Sequence, residues 1–277
     1  MTIVRKSKIE AKVVADSISE WGVRLTTLQL KYPRFIHSEF MTHRMFSRNA
    51  SSSRAIPVAK MVEQVRNDPA MPVHWGRNQP GMQAREELVG ADLANCQILW
   101  QDAAHGAAKI AEAISLHGAH KQIVNRVLEP FQWMHTIVTA TDWDNFFALR
   151  AHEDAQPEIN ALAVAMREAM NASKPESVRD GDWHLPYVSK EEAESFSDIR
   201  IALQCSAARC ARVSYLTHDG KKPSVEEDVK LYQRLVGSSP IHASPTEHQA
   251  TPSELDSYFA NFRGWVQHRR FIESNAI

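Results

Sequence analysis

Between Arg85 and His117 the chain reads REELVGADLANCQILWQDAAHGAAKIAEAISLH, rich in alanine and free of proline. Leu93, Cys96, Trp100, Ala104 and Ala107 recur along it at helical spacing and trace one apolar stripe. A helix this long with a single apolar face needs a second layer to bury that face. The partner layer is legible upstream. Residues 24–31, RLTTLQLK, alternate apolar and polar as a strand does, and IEAKVVAD at 9–16 is its expected partner. Long helices on a modest, mainly antiparallel sheet are therefore expected, an α+β fold. With 277 residues the core is large enough, and a single domain over 1–277 is the simplest division.

The other elements follow from local signals. RFIHSEFMTHRMFS after Pro33 spaces Ile36, Phe40 and Met41 as a helix of about three turns, ending at a serine-rich loop. HKQIVNRVLEP predicts a helix that stops before Pro130, and WMHTIVTAT a strand. Thr141, Asp142 and Asp144 are N-cap candidates for a helix over NFFALRAHEDAQPEINALAVAMREAM, which Pro157 must kink or restart. Residues 172–190 read as an internal loop, and helices are expected at about 190–213 and 223–236. ELDSYFANFRGWVQHRRFI closes the chain as an expected helix.

Composition excludes several function classes. Thirty-two basic against thirty-three acidic side chains leave a charge of −1, which argues against a nucleic-acid coat or a polybasic membrane binder. No apolar run approaches the roughly 20 residues that span a bilayer, and the start, MTIVRKSKIEAKVV, has no signal-peptide pattern. Cys96, Cys205 and Cys210 cannot all pair, so a reduced, cytoplasmic setting is expected. Neither GxGxxG nor GxxxxGK[ST] occurs. His117 with His120, and His242 with His248, are spaced poorly for a metal site, and none is expected. Cys205 and Cys210 sit in an alanine-rich helical stretch and read as core thiols.

The stretch THRMFSRNASSSRAIP, Thr42 to Pro57, stands apart from this ordinary background. Arg44, Arg48 and Arg54 can grip a phosphate through planar, charge-assisted hydrogen bonds, with serine hydroxyls and loop amides as further donors. The bland alternative is a helix C-terminus followed by a polar surface loop, where arginine favours the negative end of the dipole. The run resembles the signature R-H-R-x-x-S-x-N-E-x-S-x-R-Y of the flavin-dependent thymidylate synthases. Six of nine specified positions agree: His43, Arg44, Ser47, Asn49, Ser52 and Arg54. NFFALRAHEDAQPEI resembles that family's N-F-L-x-L-R-x-x-x-x-A-Q-x-E-I, and NRVLEP its R-x-V-L-P turn. ARVSY at 211–215 and SPIHASPTEH at 239–248 resemble elements that open the family's sequence, so the chain looks circularly permuted. Permutation is physically cheap where the ancestral termini lay close together at the surface.

The resemblance implies reductive methylation of dUMP at uracil C5, with methylenetetrahydrofolate as carbon donor and FAD, recharged by NADPH, as hydride source. It makes Arg150 the catalytic residue, a guanidinium that stabilises negative charge on the pyrimidine without losing its own proton. It gives Glu39, Ser51, Ser52, Arg54 and Arg126 to dUMP, and His43, Arg44, Asn49, Asn145, His242 and Ser244 to FAD. A homotetramer with sites shared between subunits is implied, with no membrane or nucleic-acid partner. None of the three cysteines stands beside a histidine, which points away from the thiol route to the same product. Thr42, Ala50 and Ala55 depart from the motif, Glu39 stands where the family often has glutamine, and Asp142 stands near an expected asparagine. A pyrimidine-nucleotide hydroxymethylase, or a nucleotide- or RNA-binding protein without catalysis, are the alternatives.

Overall fold

The computed structural model describes residues 8–213 and 223–274, so Ser214 and Tyr215 of the ARVSY stretch lie outside the described residues. Strands β1 (Glu10–Ser19) and β2 (Arg24–Pro33) form an antiparallel hairpin in the register Glu10↔Lys31 to Ile18↔Arg24, broken once by a bulge between Val13 and Ala15. Gly22, at φ 82°, closes the turn in a conformation that a side chain disfavours. A short 3-10 turn and α1 (His37–Phe40) follow, then β3 (Ser47–Ala50), α2 (Val58–Asn67), α3 (Gly90–Leu116) and α4 (Lys121–Val124). β4 (Trp133–Ala140), α5 (Asp144–Arg150), α6 (Pro157–Ala172) and β5 (Glu176–Val178) come next. The sheet order is β3-β4-β2-β1-β5, antiparallel except where β5 runs parallel to β1. The fold is α+β, as the alternation predicted.

The two faces of the sheet differ in chemistry. Leu28, Leu30, Tyr32, Met134 and Val138 point to one face and pack against Ile159, Leu162 and Met166 of α6, with Phe40, Phe46, Trp143 and Phe146 filling the edge. The other face carries Thr27, Thr139 and Ile137 and is covered by later elements. These are α7 (Lys190–Glu194), α8 (Ile199–Arg212), α9 (Val225–Val236), the strands β6 (Ala250–Pro252), β7 (Tyr258–Phe259), β8 (Phe262–Arg263) and β9 (Trp265–Gln267), and α10 (His268–Ser274). Cys205 and Cys210 are buried in α8, the core thiols that their context predicted. An ion-paired cluster ties α7, α8 and α9 together, Arg209 bonding Glu192 and Asp228 while Arg212 also reaches Asp228. A second apolar cluster joins α2 to α3, where Ala104, Ala108 and Ala111 let Met61, Val62 and Val65 approach closely. No helix among the described residues is long and apolar enough to cross a membrane.

Several boundaries differ from the sequence reading. The helix expected over 34–47 ends at Phe40 because Thr42 Oγ1 donates to Glu39 O and closes the turn. Ser47–Ala50 then pairs with β4 instead of continuing a helix or loop. The long helix begins at Gly90, not Arg85, because Arg77 N bonds Glu86 O and Leu88 N bonds Trp75 O in a small bridge. The helical run after Lys121 continues as a 3-10 turn through Pro130 to Phe131. None of Thr141, Asp142 and Asp144 caps α5: Trp143 occupies the cap, and Thr141 bonds Asp142. Pro157 restarts the chain as the first residue of α6, with Gln156 Oε1 accepting from Ile159 N at 3.0 Å.

The largest correction is at the end of the chain. Residues 254–272 do not form one helix but three short strands and then α10. Ala260 at φ 59° and Gly264 at φ 66° turn the backbone into left-handed conformations that a helix does not contain. Phe262 and Trp265 are fully buried in a cluster with Leu25, Val178 and Ala250. Trp265 Nε1 also donates to Val23 O at 3.1 Å. Tertiary burial decides this segment.

Candidate functional site

β3 places the polar motif at the edge of the sheet, and its side chains alternate between two environments. Ser47 and Asn49 are buried on one side; Arg48 and Ala50 face the other. Ser47 Oγ is held by Gln267 and Asn261 from the terminal strands. Beyond the strand, Ser51 extends the pairing: its amide bonds His135 O at 2.8 Å, and its hydroxyl accepts from His135 N. Ser51 is thus held inside the sheet edge. The loop that follows is fixed from below, where Asn125 Nδ2 donates to Ser53 O and Ile56 O at 2.7 and 3.0 Å.

This scaffold opens a cleft of about 530 Å3. Asn49, Ser52 and Arg54 of the motif line it together with His242 and Ser244, from a segment almost two hundred residues later. Sequence reasoning missed Lys121 and Gln122, which complete the wall beside Ala55. Lys121 Nζ donates to Ala55 O at 3.0 Å, so two of its three protons remain for another acceptor. Among the described residues the walls carry two cations, Arg54 and Lys121, and no carboxylate. Asn49 is only 6% exposed, and its side-chain amide opens on the cleft without a hydrogen-bond partner among the described residues. An amide so placed can donate to and accept from a polar ligand.

A second cluster lies on the other side of the motif. Arg150, at the end of α5, donates from Nε to His43 Nε2 at 3.0 Å and from Nη1 to the Glu39 carboxylate. Both ion-pair members are about three-quarters buried. His43 is pushed down to about 4, first by burial and then by the guanidinium groups of Arg150 and Arg48. It is therefore neutral at physiological pH, and the Arg150 bond places its proton on Nδ1. His43 and Asn145 line a cavity of about 230 Å3 with Asp142, Asp144, Phe46 and Phe146.

The remaining candidates lie outside both cavities. Arg44 is exposed on the turn between them. Arg126 Nη1 is bonded to Glu129, which also receives Arg34 and Ser53. Arg54 lines the larger cleft, whereas Arg150 lines neither cavity and touches the second only through its bond to His43.

Arg48 occupies a position that the motif leaves free, and it positions the turn. Its Nη1 donates to the carbonyls of Phe40, Met41 and His43 at 3.3, 3.1 and 2.9 Å, satisfying the end of α1. Arg48→Met keeps the aliphatic stem and removes the donors. It is expected to lower unfolding free energy by about 2 kcal/mol in urea titrations; an unchanged midpoint would remove Arg48 from that role.

Comparison with known proteins gives three findings. No curated protein matches the chain. Two solved structures of PolB, a UMP/dUMP methylase from Streptomyces cacaoi bound with 5-Br dUMP or 5-Br UMP, are similar at 17% and 18% identity. Their TM-scores are 0.48 and 0.47, each covering 59% of this chain and 90% or 89% of the other. The family described as thymidylate synthase complementing protein matches residues 23–176, a span that holds the motif, the serine loop and Arg150. With more than half of its 277 residues matched, this chain belongs to the thymidylate synthase complementing protein family.

Proposed function

We propose that this chain is an enzyme that methylates a pyrimidine nucleotide at ring carbon C5, dUMP being the nucleotide that its family implies. The observation that carries the reading is the cationic cleft, with Ser52, Arg54 and Lys121 on its wall and no carboxylate among its described residues. Such a wall suits a phosphate: the Ser52 hydroxyl and the Arg54 guanidinium donate to its oxygens, and Lys121 adds charge. Arg126 joins them only by exchanging Glu129 for phosphate. Arg150 serves the base. Nε and Nη1 each engage one proton, and of the three N–H donors that remain, two on Nη2 are available to the N3 edge of a pyrimidine, where they would stabilise charge that makes C5 nucleophilic.

The residues present fit a flavin nucleotide, because the unpaired Asn49 amide faces open space beside His242 and Ser244. FAD held there supplies hydride, with NADPH as its reductant and methylenetetrahydrofolate as the one-carbon donor. His43, Arg44 and Asn145 would hold its remainder on the far side of the turn. The two cavities are separate within one chain, which supports a homotetramer whose sites are completed across subunits. Ile98, Leu99 and Ile110, more than half exposed on the outer face of α3, offer an apolar surface for that assembly. In the same reading residues 1–277 form one domain whose 209–248 segment, outside the family match, supplies permuted elements to the cleft.

The test is direct. Purified protein is expected to be yellow, or to become so with FAD, and to form methylated nucleotide from dUMP, methylenetetrahydrofolate and NADPH. Protein that binds the nucleotide but takes up no flavin and yields no product would establish a binding protein instead.

A further inference from the structure

We propose that Lys121 reads the second negative charge of a phosphate monoester, so that the larger cleft takes the terminal phosphate of a free mononucleotide and discriminates against a phosphodiester. The inference rests on the reading above, in which Ser52 and Arg54 meet the phosphate. Lys121 and Asn125 stand four residues apart on α4 and the turn that continues it, and both reach carbonyls of one short loop. Lys121 Nζ donates to Ala55 O at 3.0 Å, while Asn125 Nδ2 donates to Ser53 O and Ile56 O. The loop is itself closed on Ser52, whose carbonyl accepts from Ala55 N and Ile56 N at 2.9 and 3.2 Å. The ammonium is therefore fixed against the residue that follows Arg54, and Ser52, Arg54 and Lys121 line the cleft around a single turn. Arg126, the next residue after Asn125, is spent elsewhere: its Nη1 is ion-paired with Glu129, and it lines neither cavity.

Charge sets what this arrangement accepts. A phosphate monoester carries about −1.5 to −2 at neutral pH, whereas a diester keeps a single ionised oxygen. Arg54 and Lys121 are the two cations of the wall, and no carboxylate stands among its described residues to neutralise either. Together they match a dianion. Arg54 offers planar donors to two oxygens, and Lys121, a point charge with two protons left over from Ala55 O, supplies the second charge. The loop carbonyl already orders the lysine side chain, so less entropy is lost when a phosphate arrives. A diester brings no second charge to Lys121, and its added carbon blocks one acceptor oxygen.

The test compares dUMP with the methyl ester of its phosphate by calorimetric titration of the full chain saturated with FAD, at a pH of about 7.5 where the monoester is a dianion. The two ligands share base and sugar and differ by one charge and one methyl group, so the ratio of their affinities reads the phosphate alone. The wild-type chain is expected to favour dUMP by about tenfold or more, the worth of one hydrogen bond to a charged group. Lys121→Gln keeps a donor for Ala55 O and removes the charge. A lysine that only held the loop would leave the ratio in place, whereas this inference expects it to fall to about threefold or less. Lys121→Arg, which keeps the charge, is expected to hold the wild-type ratio. Equal binding of the two ligands by the wild type overturns the inference and leaves the proposed function standing. A ratio that survives Lys121→Gln, or that falls further in Arg126→Gln, overturns the assignment to Lys121. Binding of neither ligand overturns the proposed function and this inference together. Should Lys121→Gln fail to fold, the wild-type ratio still decides, and loss of that ratio in Lys121→Arg overturns the assignment.

Discussion

Arg150→Ala is expected to lower turnover of the pyrimidine nucleotide by about 10^3-fold while bound flavin and melting temperature stay close to wild type. The size follows from the role. A single preorganised donor aimed at developing charge accounts for 10^2 to 10^3 in rate, and a guanidinium adds a full positive charge to the donor. The stability effect is small because the Glu39–Arg150 pair is part-exposed, with 23% and 29% of the two side chains open to solvent, and such pairs contribute on the order of 1 kcal/mol or less. Arg150→Lys separates charge from geometry. An ammonium keeps the charge but loses the planar fork that reaches His43, Glu39 and the ring at once, so it is expected to restore only a small part of the rate. Single-turnover kinetics with the nucleotide bound would check this, and unchanged turnover in Arg150→Ala would take the residue out of the mechanism.

Arg150 also shows what a sequence can and cannot carry. NFFALRAHEDAQPEI singled it out only through the resemblance to a family segment, and its partners Glu39 and His43 lie more than a hundred residues away, where only the fold brings them to it. The hairpin, β4, the stripe of α3 and the restart at Pro157 were legible because each is written in local periodicity or in proline chemistry. β3 was not. Ser47 and Asn49 meet polar partners or open space and not an apolar core, so the strand lacks the alternation that announces one. The terminal segment misled for the converse reason: Phe262 and Trp265 stand three apart, as on a helix, but their burial depends on Leu25 and Val178 and on left-handed turns at Ala260 and Gly264. Among site residues, Lys121 carried no signal at all. It reaches the cleft because α4 packs beside the serine loop, and the loss of Arg126 to Glu129 was equally invisible in one dimension.

The layer that covers the polar face of the sheet is expected to make the protein acid-sensitive well above the range in which carboxylates titrate. Five side chains form one buried line across it. Ser17 Oγ meets His184 Nδ1 at 2.7 Å, and His184 Nε2 meets Thr27 at 2.8 Å. Thr27 meets Thr139 at 2.7 Å, and Thr139 meets His248 Nδ1 at 2.8 Å. Both imidazoles are fully buried, and burial pushes each down to about 3. His248 Nε2 has no partner among the described residues, so a second proton on that ring would meet no acceptor among them. In the unfolded chain each ring titrates near 6.5. Between pH 6.5 and 3 the unfolded state therefore binds more protons, and stability falls as pH falls through that window. Above about pH 6.5 the contribution is complete. Each histidine costs about 1.4 kcal/mol per pH unit once well below 6.5, which gives about 2 kcal/mol apiece at pH 5 and about 4 kcal/mol for the pair. His43 and His37, both held to about 4 largely by burial, act in the same direction. Urea unfolding at pH 7.5, 6 and 5 measures the effect, and His248→Gln, which keeps a polar side chain but does not titrate, is expected to remove close to half of the pair's share of the slope. A midpoint that stays level from pH 7.5 to 5 would show that the two rings accept protons in the folded state, and that the line across the sheet is open to water.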